Sequence, residues 1–135
     1  MPRNSTRVAV SRSKAVSYRA VAENFFQGAD VARQFEYWNA AGVLIVHAAI
    51  AYADAISIRL GAVKSRGEDH HETISLLEEL LTAGEERRKA LHQLRRIIDH
   101  KNAVSYSGEI YRRKDVEELW KLASRFREWA IQLLD

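Results

Sequence analysis

The sequence predicts an all-α protein, a single-domain bundle of about five helices. Three observations carry this. The only proline sits at position 2, so nothing later in the chain carries a ring that breaks helices. No Asn-Gly or Asp-Gly dipeptide marks a β-hairpin. Apolar side chains recur at three- and four-residue spacing in several long stretches, with glycine or polar breaks between them.

Residues 1–12 read as a basic N-terminal tail, and the helical domain follows over 13–135. The first helix is expected from about Ser13 to about Phe35, with Val16, Ala20, Phe25 and Phe26 at helical spacing and Gly28 weakening its middle. The second, from about Tyr37 to Leu60, is apolar almost all round and therefore belongs at the centre of the bundle. Gly61 is its natural stop. After the loop "KSRGEDHHE", Asp69 caps a third helix, with Glu72 completing a capping-box-like pair. That helix carries Ile74, Leu77, Leu80 and Leu81 on one face. Gly84 separates it from a fourth, striped by Leu91, Leu94 and Ile98. "SYSGEIYRR" is a loop, and the fifth helix starts near Lys114 with the stripe Val116, Leu119, Trp120, Ala123, Phe126, Ala130 and Leu133.

A chain of 135 residues with 47% hydrophobic residues is long and apolar enough to bury a core without metal or disulfide, and it has no cysteine to make one. The N-terminus shows no apolar run of signal-peptide length. The longest apolar stretch, Ala40 to Ala53, is interrupted by His47 and is too short for a membrane span. A cytoplasmic protein with no membrane partner is expected. Net charge is only +3, but it is unevenly spread. Residues 68–86 are acidic in the main, whereas Arg87–Lys89, Arg95, Arg96, Lys101 and Arg112–Lys114 make the later part basic. A basic patch can hold nucleic acid or nucleotide phosphates, and it can equally be a solvated surface.

Few motifs carry chemistry. "HHETI" begins like the zinc motif His-Glu-x-x-His, but position 75 is serine, so His70 and His71 lack their second ligand. No nucleophile elbow, phosphate loop or dinucleotide fingerprint is present, and no metal or cofactor is expected. His47 and Asp54 lie seven residues apart on one face of the apolar second helix and need partners there. Those partners are either a neighbouring helix or, for Asp54, a basic residue of the "RRIIDHKN" segment. The richest stretch is "RRIIDHKNAVSYSG", residues 95 to 108. Arg95, Arg96 and Lys101 can bind phosphate, and His100 or Tyr106 can exchange a proton with a ribose hydroxyl or leaving group. The same stretch also suits an ordinary helix end, where basic residues complement the dipole and Gly108 makes a turn.

"VHAAIAYADAISIRLG", then "KSRGEDHHETISLLEELL", "KNAVSYSG" and "DVEELWKLASRFREWAIQLL" together resemble the HEPN family, the higher-eukaryote and prokaryote nucleotide-binding helical domain. The resemblance covers about residues 13–135. It implies a five-helix fold and, in many members, a metal-independent ribonuclease that dimerises across a motif of Arg, four to six residues, then His, usually opening with Arg-Asn. Other members lack the motif and act as binding or toxin–antitoxin partners, often with a nucleotidyltransferase-type protein. Two registers fit. In the preferred one Lys101 stands for the arginine, Asn102 matches the asparagine and Tyr106 stands where the histidine belongs. In the other, Arg95 and His100 satisfy the spacing literally, but the asparagine is missing. Lysine loses the bidentate fork of arginine, and tyrosine, with a reference pKa near 10, is a poor base at neutral pH. The preferred register therefore implies a degenerate ribonuclease site. Arg95, Arg96, Lys101 and Tyr106 are then the RNA- or nucleotide-binding candidates, with His47 and Asp54 in support. An active ribonuclease toxin and a structural adaptor are the alternatives. A homodimer is expected from the resemblance and from Trp120 and Trp129 on the last helix.

Overall fold

The computed structural model describes residues 6–67 and 70–135. In chain order it has strand β1 (Arg7–Ala9), a single 3-10 turn (Arg12–Lys14), helices α1 (Ala15–Gln34) and α2 (Trp38–Gly61), strand β2 (Val63–Ser65), and helices α3 (His71–Leu80), α4 (Glu85–Ile98), α5 (Lys101–Ser105) and α6 (Arg113–Leu134). The fold is all-α, with one small two-stranded sheet as its only β-structure among the described residues.

α2 is the axis of the bundle. Fifteen of its 24 residues are buried, and α1, α3, α4, α5, α6 and β2 all pack on it. Its many alanines let neighbours approach from every side, so it has no solvent stripe over most of its length. The whole of α2 is longer than the apolar run 40–53 and by length and composition could cross a membrane. However, 83% of that window is buried inside the protein, as befits a core helix. α2 ends at Gly61, but the left-handed residue is Ala62, at φ 54°. Gly61 is needed for another reason: a Cβ there would come within 2.8 Å of Leu80 on α3.

Three expectations are corrected here. Residues 7–9, expected in a tail, pair antiparallel with β2 in the register Arg7↔Ser65, Val8↔Lys64, Ala9↔Val63. Arg12, also expected in that tail, donates to the carbonyls of Arg59 and Leu60 and so caps the C-terminus of α2. On α1, Val16 and Ala20 face solvent, and the buried positions are Ala15, Ala22, Phe26, Ala29 and Ala32. The small residues turn inward because α2 lies close against them. On α6, Leu122 and Leu134 are buried while Trp120 and Leu133 are only partly so.

The expected capping residue Asp69 lies outside the described residues. Its expected partner Glu72 bonds to Thr6 and lies 3.5 Å from Arg7, which ties α3 to β1. At α6, Asp115 accepts from the Arg112 backbone N–H at 2.9 Å, an N-terminal brace of the kind that starts a helix. Both tryptophans behind the dimer expectation are used within the chain itself. Trp120 stacks on Phe26 at 4.4 Å and lies under the Arg33 guanidinium, and Trp129 packs on Phe126. Glu23, Tyr52 and Arg127 join α1, α2 and α6 in one partly buried cluster. Burial by itself would raise the Glu23 pKa, but hydrogen bonds from Arg127 and Tyr52 outweigh it and hold the carboxyl below its usual range.

Candidate nucleic-acid interface

The stretch that is richest in chemistry folds as two helices, not one. α4 stops at Ile98, the chain turns through Asp99 and His100, and α5 resumes for five residues. A loop then leads to Tyr111 and α6. Asn39, in the first turn of α2, holds this connection. Its side-chain amide donates to the carbonyls of Val104 (3.2 Å) and Glu109 (2.9 Å), and its oxygen accepts from the Tyr111 N–H (2.9 Å). One turn on, Gly42 lies so close to the connection that an added Cβ would meet Val104 at 2.5 Å. One asparagine and one glycine of α2 thus dock α5 and the loop onto the core.

That docking positions His100. Its Nδ1 lies 2.5 Å from the Tyr111 hydroxyl, with the rings edge-on at 5.7 Å. Tyr111 is 3% exposed, and burial first, then Glu109 and Asp115, push its pKa up, so the hydroxyl keeps its proton at neutral pH. It can donate to Nδ1 in one tautomer of the imidazole or accept from it in the other. In either case Nδ1 is occupied, and Nε2 is the nitrogen left for a ligand.

The two registers of the motif separate in space. Lys101 and Tyr106 come together: the ammonium lies 5.3 Å from the ring centroid, a cation–π contact, and Tyr106 is 75% exposed. Asn102 is exposed, and its carbonyl accepts from the backbone N–H groups of Tyr106 and Ser107, closing the turn. Arg95 and Arg96 lie on the solvent face of α4, while His100 turns inward to Tyr111. Lys89 and His92 are exposed on that same face, and no acid interrupts it between Glu86 and Asp99. α4 therefore presents the cations Lys89, Arg95 and Arg96 on one solvent-facing side, with His92 among them, before the exposed Asp99.

The two candidate supports on α2 also separate. His47 is half-buried near Lys101. Burial, and then the Lys101 charge, lower its pKa, which keeps it neutral at physiological pH. Asp54, two turns away, does not reach the segment 95–102. Its Oδ2 lies 4.0 Å from Lys64 on β2, and burial pushes its pKa up to about 7, with Lys64 offsetting only part. Sequence reasoning missed Asn39 and Tyr111. A polar residue in the first turn of an apolar helix was the one visible signal for Asn39. Nothing local pointed to Tyr111.

Neither a curated protein nor a solved structure matches this chain. A sequence model of the HEPN domain matches residues 16–134, nearly the whole chain, from the second residue of α1 to the end of α6. The chain belongs to the HEPN family.

Proposed function

We propose that this HEPN domain binds RNA through the solvent face of α4 and the Lys101–Tyr106 pair, with little or no nuclease activity, and that it works as a homodimer. The observation that supports it best is the basic face of α4: Lys89, Arg95 and Arg96, with His92 among them, project from one side of the helix. Cations spaced along a helix neutralise successive phosphates, and an exposed aromatic at the end of the row offers a base a ring to stack on. The degenerate register supports weak or absent cleavage. Tyr106 stands in the histidine's place and Lys101 in the arginine's, and neither suits general base or fork-like phosphate chemistry at neutral pH.

One observation favours a second reading, an active ribonuclease. Tyr111 orients His100 through Nδ1, and such an orienting partner is what a catalytic histidine needs. Against it, Arg95 of that register sits on the solvent face of α4. Titration of the purified protein into single-stranded RNA, followed by a cleavage assay in EDTA, separates the two. The binding reading expects salt-sensitive binding that is lost in Arg95→Glu/Arg96→Glu, with no cleavage. Cleavage abolished by His100→Ala but retained by Tyr106→Phe establishes the second reading. Binding that ignores both salt and the arginines overturns the first.

A further inference from the structure

The exposed aromatic rings of this protein are not scattered. Among the described residues they are Phe35, Tyr37 and Tyr106, at 66%, 65% and 75% exposure. All three lie at one end of the bundle. Phe35 closes α1, Tyr37 precedes α2, and Tyr106 closes α5, whose backbone is tied by Asn39 to the first turn of α2. Phe35 and Tyr37 form a pair: their centroids are 6.3 Å apart and their planes only 18° from parallel. Neither ring belongs to the core. The turn between them is held in an unfavourable conformation. Glu36 sits at φ 64°, in the left-handed region that disfavours a side chain and usually holds glycine. The backbone N–H groups of Glu36 and Tyr37 donate to the carbonyls of Arg33 and Ala32, which fixes the turn that sets the two rings side by side.

We infer that the Phe35–Tyr37 pair is a base-stacking subsite, on which an unpaired base of a single-stranded RNA continues the stack of the two rings. The inference rests on the RNA binding proposed above and adds to it a preference for single strands. The setting of the pair favours a nucleotide. Arg113 reaches Glu36 at 3.4 Å and lies 4.9 Å over Trp38, which brings the start of α6 beside the rings, and Arg112 and Lys114 are exposed there. Several acids at this end are already engaged: Glu36 by Arg113, Asp115 by the Arg112 N–H and Glu117 by Arg33, while Glu109 is exposed on the loop. Flat rings beside cations suit a ligand whose base stacks while its phosphate pairs. Tyr106 with Lys101 repeats the combination of ring and cation on the other side of Asn39. Two such stations at one end of the bundle suit two bases of one strand. A duplex keeps its bases stacked on each other, so neither ring finds a free base face there.

The test measures binding of the full chain to a labelled oligouridylate and to an RNA duplex of equal length, by fluorescence anisotropy over a range of salt. Circular dichroism confirms the fold, which should stand because both rings are exposed. Phe35→Ala/Tyr37→Ala should weaken binding of the single strand about tenfold or more, and of the duplex less than about twofold. The slope of log K against log salt should not change, because no cation is removed. Phe35→Leu/Tyr37→Leu should behave like the alanine pair, since leucine supplies bulk without a flat face, whereas Tyr37→Phe should bind as the wild type does. Equal losses on the single strand and the duplex overturn the inference, and so does a leucine pair that binds normally. Single-strand binding that survives intact in the alanine pair also overturns it, while the RNA reading stands. A wild type that binds no RNA overturns both.

Discussion

The outer faces of α1 and α4 obey the same amphipathic rule and end in opposite chemistry. Both helices bury one stripe on the core: alanines and Phe26 on α1, and Ala90, Leu91, Leu94, Ile97 and Ile98 on α4. Outside, α1 shows valine, alanine, amides and phenylalanine, while α4 shows lysine, histidine and arginine. The inward stripe makes a helix part of the fold. The outward stripe is free of that duty, so its composition speaks of what the protein meets. A cationic face suits a polyanion, whereas a neutral one offers a polyanion's charge nothing.

The largest expected effect lies on the cationic side. Reversing Lys89, Arg95 and Arg96 to glutamate should weaken single-stranded RNA binding on the order of 10³-fold at low salt. It should also flatten the dependence of log K on log salt by roughly 0.7 for each phosphate that is no longer neutralised. Val16→Ser on α1 should leave that slope unchanged, and a changed slope there would break the comparison.

Asp54 gives an interior control. Its folded pKa, about 7, lies above the ordinary value of 3.8. The folded state therefore holds this proton more tightly than the unfolded chain does. Its effect on stability is most favourable below about pH 4, declines as pH rises from 4 to 7, and levels off above. Asp54→Asn should remove that decline. Urea unfolding at pH 5 and pH 8 should show the variant gaining on the wild type by a few kcal/mol between the two. RNA affinity per folded molecule should not follow.

Asn39→Ala should cost about 2 kcal/mol of stability in urea unfolding, because it removes three hydrogen bonds and strands loop backbone groups. It should also loosen the His100–Tyr111 contact, visible as increased hydrogen exchange at residues 100–111, while α1 stays protected. Equal loosening of both regions would show that the two faces are not independent. The smallest effect is expected at Val16→Ser, under about 0.5 kcal/mol on the fold since Val16 is exposed.

Much of the architecture was legible because it is written in short-range period. α2 announced its central place through the near absence of polar positions, and the α6 stripe was almost right, displaced at Leu122 and Leu134. The face of α1 was misread because valine looks more buriable than alanine, whereas close packing on α2 selected the alanines. The β1–β2 pair was invisible: three-residue strands have no period, and their partners lie more than fifty residues apart. In the candidate site, the residue types between Arg95 and Tyr106 were legible, but their groupings were not. Lys101 met Tyr106 because α5 forms. His100 met Tyr111 because Asn39 pins a loop whose sequence carries no mark of it.

The sequence by itself determined the long helices and the central place of the core helix, since these depend on residues a few positions apart. The tertiary structure alone decided which polar groups became partners. It gave Asp54 to Lys64, His100 to Tyr111 and the loop to Asn39, because such pairings depend on where distant segments land when α2 is wrapped, and no local period encodes that.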